Sequence, residues 1–366
     1  MALSKQPEIG DVRARVCRVP TERPEADGTL EWNETTIVIV ELDAGPVTGL
    51  GYTYADAGAA ALIAATLAPL LRGRHACDIP AAVAALWRAV RNIGRAGIAA
   101  SAISALDIAL WDAKAKLAGL PLASLVGRAR ERVERYGSGG FTSYDLPTLA
   151  AQLEGWRRDG MAACKIKIGA RDASDPSRLR VAREALGPDG VLFVDANGAY
   201  TPRGATGFAD AAAAFDIAWF EEPVSSDDLD GLRFVREHAS AYCEIAAGEY
   251  CYVPDDFRRL LAHGAVDVLQ ADATRCGGVS GFLAAGALAD AHHVDLSAHC
   301  APALHRQLAC MVPRMRHIEW FHDHVRIERL LFDGAPEPGG ASVASDNGEP
   351  GLGLLLKAAD AERYAQ

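Results

Sequence analysis

Five short apolar segments of this sequence each end in an acidic residue or a histidine, at nearly regular intervals. These residues are Asp195, Glu221, Glu249, Asp272 and His299, with successive separations of 26, 28, 23 and 27 residues. A strand, a helix and their two loops together occupy about that length. Reactive side chains at the carboxyl ends of successive parallel strands would meet at one mouth of a β/α barrel, where such barrels build their active sites.

The three carboxylates of this series predict a metal site. Asp195, Glu221 and Glu249 would end the third, fourth and fifth barrel strands, and neighbouring strands lie about 5 Å apart. Their mutual repulsion in a barrel mouth is relieved by a hard divalent cation, and an all-oxygen ligand set suits Mg²⁺. A single strand-end carboxylate more often stays solvated or caps a helix, but three at matched positions favour the metal. We expect Glu222 to lie behind Glu221 rather than on the ion.

Two lysines alternate in the segment CKIKIG. Lys165 and Lys167 would point to the same face of the second barrel strand, which is the barrel interior. Two ammonium groups beside Mg²⁺ should lower each other's pKa below the usual value of about 10.4. A lysine neutralised in this way can accept a proton. The alternative, two surface lysines on an edge strand, fits poorly because the rest of the segment is apolar.

A second acid/base group is predicted on the opposite side of the mouth. Asp272 and His299 end the sixth and seventh strands, and an aspartate beside a histidine sets its tautomer and raises its basicity. Glu319, in HIEW, would lie on the eighth strand near the metal and the lysines. If protonated, Glu319 could donate a hydrogen bond to a developing enolate.

These groups together fit removal of the proton α to a carboxylate. The metal and Lys165 would bind the carboxylate and stabilise the enolate, and Lys167 or His299 would remove the proton. If the β-carbon bears a hydroxyl, protonated His299 could help it leave, which gives dehydration. Without such a hydroxyl, reprotonation by the opposite base would invert the centre.

The region after residue 130 alternates apolar strands with helical segments, which predicts a parallel sheet. Eight strands indicate a closed barrel rather than an open sheet. The predicted strands are residues 133–139, 163–169, 191–197, 217–223, 244–249, 266–272, 295–300 and 317–321.

The region before residue 130 lacks this alternation and predicts an α+β unit. Its predicted strands are residues 12–19, 35–44 and 49–55, with a polar loop over 20–34. Its helical stretches are residues 58–72, 80–93 and 98–120. We therefore predict an α/β fold, a (β/α)7β TIM-like barrel with an N-terminal α+β capping domain. The expected division is 1–130 for the cap, 131–330 for the barrel and 331–366 for a C-terminal return to the cap.

Composition excludes several classes of function. The chain has 366 residues and a formal net charge of −11, which argues against nucleic acid and anionic membranes as partners. It has no apolar run long enough for a membrane span and no apolar leader near its start. Its eight scattered cysteines contain no CxxC pair, which is typical of reduced thiols in the cytoplasm. We expect a small-molecule carboxylate as substrate.

Taken together, these motifs resemble the enolase superfamily, and within it the mandelate racemase subgroup. The matching segments are KIK at 165–167, DAN at 195–197, EEP at 221–223, GE at 248–249, D…GG at 272–278, SAH at 297–299 and IE at 318–319. The resemblance covers nearly the whole chain. It implies Mg²⁺ on the three carboxylates, bases at Lys167 and His299, Asp272 behind His299, and Glu319 as an electrophile. It also implies a homo-oligomer, which is common in the family.

The resemblance narrows the reaction without naming the substrate. The muconate lactonizing and dipeptide epimerase subgroups carry a lysine on strand six, whereas LQADATRCGG has none, so these subgroups are disfavoured. The family varies its substrate through two cap loops, here residues 21–34 and 52–56. The charged residues of the first loop include Glu22, Arg23, Glu25, Asp27 and Glu31. Its polarity favours a polyhydroxylated substrate, and hence an acid-sugar dehydratase that forms a 2-keto-3-deoxy acid.

Four strand-end residues are candidate substrate contacts: Asn197, Arg275, Tyr136 and Ser138. A racemase or epimerase of a 2-hydroxy acid or related carboxylate, or a cycloisomerase, could use the same residues and stays open as an alternative. A barrel that only binds a ligand is disfavoured, because it would retain the metal ligands, the bases and the electrophile without using them. A metallohydrolase is disfavoured because the first barrel strand reads RYGSG and has no HxH.

Overall fold

A computed structural model describes residues 7–170 and 174–366. Residues 1–6 lie outside the described part. They belong to the predicted cap and to the segment for which no apolar leader was expected. The cap begins with three antiparallel strands in the order β1-β2-β3. Their bounds are Ile9–Ala26 for β1, Glu31–Ala44 for β2 and Val47–Tyr54 for β3.

The predicted polar loop over residues 20–34 was wrong. Strands β1 and β2 continue through most of it as a long hairpin, and only residues 27–30 form its turn. The ladder is interrupted between Pro20 and Glu25 and then resumes with Glu25 opposite Trp32. Charged residues and two prolines suggested a loop, but pairing between distant segments satisfies the backbone there and tolerates them at a bulge.

Helices cover one face of the cap sheet. They are α1 Gly58–Leu62, a π-helical turn Ile63–Leu67, α2 Ala68–Leu71, α3 Ile79–Ala89, α4 Ile98–Ala118 and α5 Leu122–Val126. Helix α4 is buried along most of its length and lies very close to β3. A Cβ atom on Gly51 would lie 2.0 Å from the carbonyl oxygen of Ala105, so only glycine permits this approach.

Eight parallel strands form the barrel, and the last pairs with the first, Glu319 opposite Tyr136. The strands are β4 Arg132–Gly139, β5 Ala163–Lys167, β6 Val191–Asp195, β7 Ile217–Glu221, β8 Glu244–Ala247, β9 Val268–Ala271, β10 Asp295–Ala298 and β11 Met315–Phe321. The helices between them are α6 Leu146–Arg158, α7 Asp175–Leu186, α8 Pro202–Ala212, α9 Leu229–His238, α10 Pro254–Ala262, α11 Gly278–Ala291 and α12 Pro302–Met311. The predicted (β/α)7β barrel with a cap is confirmed.

The chain after the barrel contacts both units. It contains α13 His322–Leu331, β12 Phe332–Asp333, β13 Ser342–Ala344, β14 Leu355–Leu356 and α14 Ala358–Glu362. Strand β13 pairs antiparallel with β4 of the barrel, and the backbone N–H of Arg18 in β1 donates to the carbonyl of Tyr364 at 2.9 Å. Among the described residues, no helix combines the length and apolar character needed to cross a membrane.

Candidate active site

The three predicted metal ligands converge at the carboxyl end of the barrel. Asp195 and Glu221 are the last residues of β6 and β7 and lie opposite each other in the strand register. Glu249 follows the end of β8, after Gly248, where a Cβ atom would lie 2.1 Å from the carbonyl oxygen of Gln270. One carboxylate oxygen from each of the three residues lies within 4.8 Å of the other two.

Burial makes this cluster of negative charge unfavourable without a cation. Burial, followed by repulsion from Asp195, raises the pKa of Glu221 to about 8. Glu222 is also buried, and burial together with repulsion from Glu249 raises its pKa well above its ordinary value. The Oε1 atom of Glu222 and the Oε2 atom of Glu249 have no hydrogen-bond partner among the described residues. A hard divalent cation among these oxygens fits their number, charge and chemistry.

Both lysines of β5 contact the carboxylates directly. The Nζ atom of Lys165 lies 2.6 Å from Glu221 Oε1 and 2.8 Å from Glu319 Oε1. The Nζ atom of Lys167 donates to Asp195 and, at 3.0 Å, to Asn197 Oδ1.

The carboxylates in contact with the two lysines act against the expected lowering of the lysine pKa values. Burial favours the neutral amines, but attraction to the carboxylates is stronger. The pKa of Lys165, next to Glu221 and Glu319, is raised well above its ordinary value. The pKa of Lys167, next to Asp195, is also raised. The prediction combined mutual repulsion with a bound Mg²⁺, which would offset the attraction of the carboxylates, so lowered lysine pKa values in the metal-loaded site stay a prediction.

Asp272 and His299 are adjacent, as their positions after β9 and β10 predicted. His299 Nδ1 lies 2.9 Å from Asp272 Oδ2, and because a carboxylate only accepts, this ring nitrogen carries the proton. The other oxygen of Asp272 accepts hydrogen bonds from the backbone N–H and hydroxyl of Thr274, both at 2.7 Å. Burial lowers the pKa of His299, but Glu249 and Asp272 outweigh it and raise the net value.

Glu319 lies between the lysines and the histidine. It accepts hydrogen bonds from Ser138 Oγ at 2.5 Å and from the Cys300 backbone N–H at 2.8 Å, in addition to the contact with Lys165. Burial raises its pKa, but the charges of Lys165 and His299 reverse the effect and hold it well below the ordinary value. The donors around Glu319 favour its ionised form, and its role as an electrophile toward an enolate stays a prediction.

The two candidate substrate contacts of β4 are both buried. Tyr136 packs against Phe193 and Trp219 in the barrel interior, and the Nζ atom of Lys165 lies 5.6 Å from the centre of its ring. The role of Tyr136 toward a substrate stays a prediction. Ser138, two residues further along β4, reaches the site through Glu319.

Arg275 and Asn197 lie among the charged groups of the site. Arg275 Nη1 lies 3.3 Å from Glu249 Oε1, and its Nε lies 3.5 Å from Asp272 Oδ2. Asn197 has a positive φ of 46° and accepts from Lys167. Their roles toward a substrate stay predictions.

Two residues of the site escaped the sequence analysis. Trp219 Nε1 donates to Glu221 Oε2 at 3.0 Å, and strand alternation, which places residues 219 and 221 on one face, was the available signal. Cys300 Sγ lies 3.3 Å from His299 Nε2. Cys300 directly follows His299 in the sequence, but the sequence carries no signal for this contact, since adjacent residues of an extended strand face opposite sides.

The tip of the cap hairpin covers the mouth beside the lysines. Gly28 approaches the carbonyl oxygens of Ile168 and Ala196 so closely that a Cβ atom would lie 2.6 Å from each. The backbone N–H of Thr142 donates to the Ala26 carbonyl at 2.8 Å and anchors the hairpin to the barrel. Within the hairpin, Glu25 is buried, not solvated.

Aromatic side chains line one side of this region. Trp32, Phe141, Tyr144 and Phe321 form a cluster with Cys300. The covering of the site is therefore partly apolar, although the hairpin sequence is highly charged.

Two family models match this chain, one over the cap and one over the barrel. Residues 12–127 match the mandelate racemase/muconate lactonizing enzyme N-terminal domain, and residues 148–361 match the enolase C-terminal domain-like family. The chain belongs to the enolase superfamily. Within the superfamily it falls in the mandelate racemase/muconate lactonizing enzyme group.

Similar proteins of the superfamily share both fold and length. A crystal structure of a mandelate racemase/muconate lactonizing enzyme-like protein from Rubrobacter xylanophilus is 46% identical, with a TM-score of 0.96 over 98% of this chain and 100% of that chain. The L-talarate/galactarate dehydratase of Salmonella typhimurium is 35% identical over 89% of this chain and 86% of its own length. Its structure liganded with Mg and L-lyxarohydroxamate has a TM-score of 0.91, with 30% identity over 100% of this chain and 95% of that chain.

Activities differ among these relatives. The D-galactarolactone cycloisomerase of Agrobacterium fabrum is 33% identical over 80% of this chain and 78% of its own length. Membership of the superfamily therefore indicates enzymatic activity and leaves the individual reaction to be argued from the site.

Proposed function

We propose that this protein is a Mg²⁺-dependent acid-sugar dehydratase that forms a 2-keto-3-deoxy acid. The observation that carries the proposal is the arrangement of basic groups on either side of a buried carboxylate triad. Lys167 comes from β5 and the Asp272–His299 pair from β9 and β10. The similarity to L-talarate/galactarate dehydratase supports the substrate class.

The metal would be held by Asp195, Glu221 and Glu249. When bound, it would supply a positive charge that polarises the substrate carboxylate and makes the α-hydrogen more acidic. Lys165, buried between Glu221 and Glu319, is placed to hold a carboxylate oxygen by its ammonium group.

Proton transfer would involve the two basic groups. Lys167 or His299 takes the α-proton, according to the configuration of that carbon. The use of Lys167 requires its contact with Asp195 to be given up first. For dehydration, the β-carbon–oxygen bond breaks as the departing hydroxyl accepts a proton from His299 Nε2. Water leaves, and the resulting enol takes up a proton at the β-carbon and loses its hydroxyl proton to give the 2-keto acid. Asp272 holds the imidazole through Nδ1 during these steps.

A racemase, epimerase or cycloisomerase is the second candidate. The specific observation in its favour is the aromatic cluster of Trp32, Phe141, Tyr144 and Phe321, because such side chains also accommodate a less polar substrate or a lactone. The similarity to D-galactarolactone cycloisomerase agrees with that possibility. The same bases would act, and the outcome would depend on whether a β-hydroxyl is aligned with His299.

Proton NMR in D₂O, with Mg²⁺ and a panel of mono- and diacid sugars, tests both candidates. A 2-keto-3-deoxy product establishes dehydration and names the substrate. Deuterium at the α-position without loss of the sugar supports racemisation or epimerisation instead, and turnover of lactones supports cycloisomerisation. No change with any of these compounds would overturn the proposed substrate class.

Variants of the two bases test the mechanism. Each of Lys167→Ala and His299→Asn should lower turnover by about 10²-fold or more, as expected for loss of a positioned acid or base. The double variant should abolish α-proton exchange. His263→Asn is a matched control, because His263 is exposed on the surface after α10. Exchange that persists in the double variant would contradict the assignment.

We also propose three properties that accompany this function. A reducing, cytoplasmic location is supported by eight cysteines that form no disulfide. Residues 1–130, 131–330 and 331–366 are assigned as cap, barrel and C-terminal return, which limited proteolysis can test. A homo-oligomer is expected from the family resemblance, and light scattering in solution would measure the mass.

A further inference from the structure

We propose that His299, Cys300 and Glu319 form a second cation site, selective for a borderline or soft divalent cation such as Zn²⁺. This site differs in chemistry from the all-oxygen triad, because it offers one nitrogen, one sulfur and one oxygen. It goes beyond the proposed reaction, since occupancy by such a cation would block the reaction instead of supporting it.

The distances between the donor atoms fit a single ion. His299 Nε2 lies 3.3 Å from Cys300 Sγ and 3.9 Å from Glu319 Oε2, and one donor atom from each residue lies within 4.8 Å of the others. Tetrahedral Zn²⁺ with usual bond lengths to sulfur, nitrogen and oxygen places its ligand atoms about 3.4 to 3.6 Å apart. The two distances from His299 Nε2 therefore lie within a few tenths of an ångström of the range that a single ion requires.

His299 already has the orientation of a metal-binding histidine. Its Nδ1–H donates to Asp272, so Nε2 faces Cys300 and Glu319 and offers its lone pair to a cation when this nitrogen carries no proton. A carboxylate behind the histidine is the usual arrangement at zinc sites, where it sets the tautomer and strengthens the ligand. Glu249 Oε2, which has no hydrogen-bond partner among the described residues, lies 3.4 Å from the same nitrogen, so this second site borders the carboxylates assigned to Mg²⁺.

Backbone contacts fix the position of Cys300. The residue has a positive φ of 53°, an uncommon conformation for a side chain other than glycine or asparagine. Its N–H donates to Glu319 Oε2, and its carbonyl oxygen contacts His305 Nδ1 at 2.8 Å. This turn brings the thiol beside the imidazole that precedes it, although neighbouring residues of an extended strand face opposite sides.

The expected consequence is inhibition by competition for His299. Binding would release the thiol proton to solvent and place the Nε2 lone pair on the cation, so that His299 could neither accept nor deliver a proton. Magnesium would not compete well for this site, because it prefers oxygen ligands. The structure thus predicts an enzyme that requires a hard cation and is poisoned by a soft one.

Cobalt titration tests the site without any substrate. Co²⁺ bound to a thiolate gives an intense near-ultraviolet band, whereas Co²⁺ on the oxygen triad does not. The Mg²⁺-loaded wild-type protein should show this band at about one equivalent of Co²⁺, and Cys300→Ser should lack it. Cys310→Ser, which removes a buried cysteine from α12, should retain it.

Inhibition by Zn²⁺ provides the second readout. The Zn²⁺ concentration that halves Mg²⁺-dependent turnover should rise at least about tenfold in Cys300→Ser, since one of three ligands is lost. Cys300→Ala serves if the serine variant fails to fold, as judged by circular dichroism.

A wild-type protein without the cobalt band would overturn the site. A band or a Zn²⁺ sensitivity that is the same in wild type and Cys300→Ser would overturn it as well. Failure of the proposed dehydratase activity would leave the cobalt result readable, so the two proposals fail separately.

Discussion

Replacement of Gly28 by alanine should weaken catalysis more than it weakens the fold. Gly28 lies at the tip of the cap hairpin, and a Cβ atom there would be 2.6 Å from the carbonyl oxygens of both Ile168 and Ala196 and 3.0 Å from Ala199 Cβ. The two carbonyls directly follow Lys167 and Asp195, so they belong to the rigid rim of the site. The φ of Gly28 is not positive, so alanine can adopt its backbone conformation. The substitution therefore disturbs only the close approach of the tip to the two carbonyl oxygens.

The magnitude follows from the cost of an added methyl group in a tight contact. Overpacking of this kind costs about 1–3 kcal/mol. Because the rim is fixed in the barrel sheet, the hairpin should yield by moving away from the mouth. The strain then falls on the arrangement in which the tip rests on the rim. The value of kcat/KM should therefore drop about 5- to 150-fold, since about 1.4 kcal/mol corresponds to a factor of ten. The free energy of unfolding should change by less than about 1 kcal/mol, because the tip is free to relieve the strain.

The assay compares kcat/KM and urea-induced unfolding of Gly28→Ala with those of Gly207→Ala. Gly207 lies on the exposed face of α8, and a Cβ atom there would meet nothing within 4 Å. That control should keep wild-type kcat/KM and gain up to about 1 kcal/mol of stability, as expected for glycine to alanine in a helix. Wild-type kcat/KM in Gly28→Ala would refute the view that the hairpin tip must rest on the rim during catalysis.

Three further predictions concern the cap, the pH dependence of stability and the metal. Thr53→Val should lower turnover and cost about 1–3 kcal/mol of stability, because the Thr53 hydroxyl donates at 2.6 Å to the Thr274 carbonyl beside Asp272. Thr53→Ser keeps the hydroxyl and should restore turnover and stability. Equal defects in the two variants would contradict this reasoning. Burial raises the pKa of Asp107 to about 7 from 3.8, so the folded protein binds the extra proton and its free energy of unfolding should fall as the pH rises from about 4 to about 7. Asp107→Asn should flatten that fall in urea unfolding at several pH values, and a parallel profile would refute the assignment. Mg²⁺ at about 100 times its Kd should stabilise the protein by about 2.7 kcal/mol; Glu249→Gln should reduce the shift in Tm, and an unchanged shift would place the ion elsewhere.

The sequence was sufficient for the order of the elements and for the identity of most reactive groups. The regular recurrence of apolar strands ending in Asp195, Glu221, Glu249, Asp272 and His299 follows from local rules. A strand needs a continuous apolar run, a closed parallel barrel repeats strand and helix, and side chains after each strand reach the same mouth. These rules depend on spacing along the chain, so they hold before any long-range contact is known.

Depth within the barrel and the state of each charge were decided by the tertiary structure. Alternation along β4 predicts that Tyr136 and Ser138 share a face, but only the fold shows that Tyr136 packs against Phe193 and Trp219 while Ser138 donates to Glu319. Likewise, the sign of the pKa shift of Lys167 depends on its contact with Asp195, which comes from a separate strand.

The cap hairpin and the turn at Cys300 show the same limit. The charged segment 20–34 looks like a loop until β1 and β2 pair across it, and Cys300 faces His299 only because its backbone turns left-handed against Glu319 and His305. Composition and periodicity describe what a segment prefers by itself. Pairing between distant strands, burial and the distance between opposite charges depend on the whole fold, and they settled these features of the site.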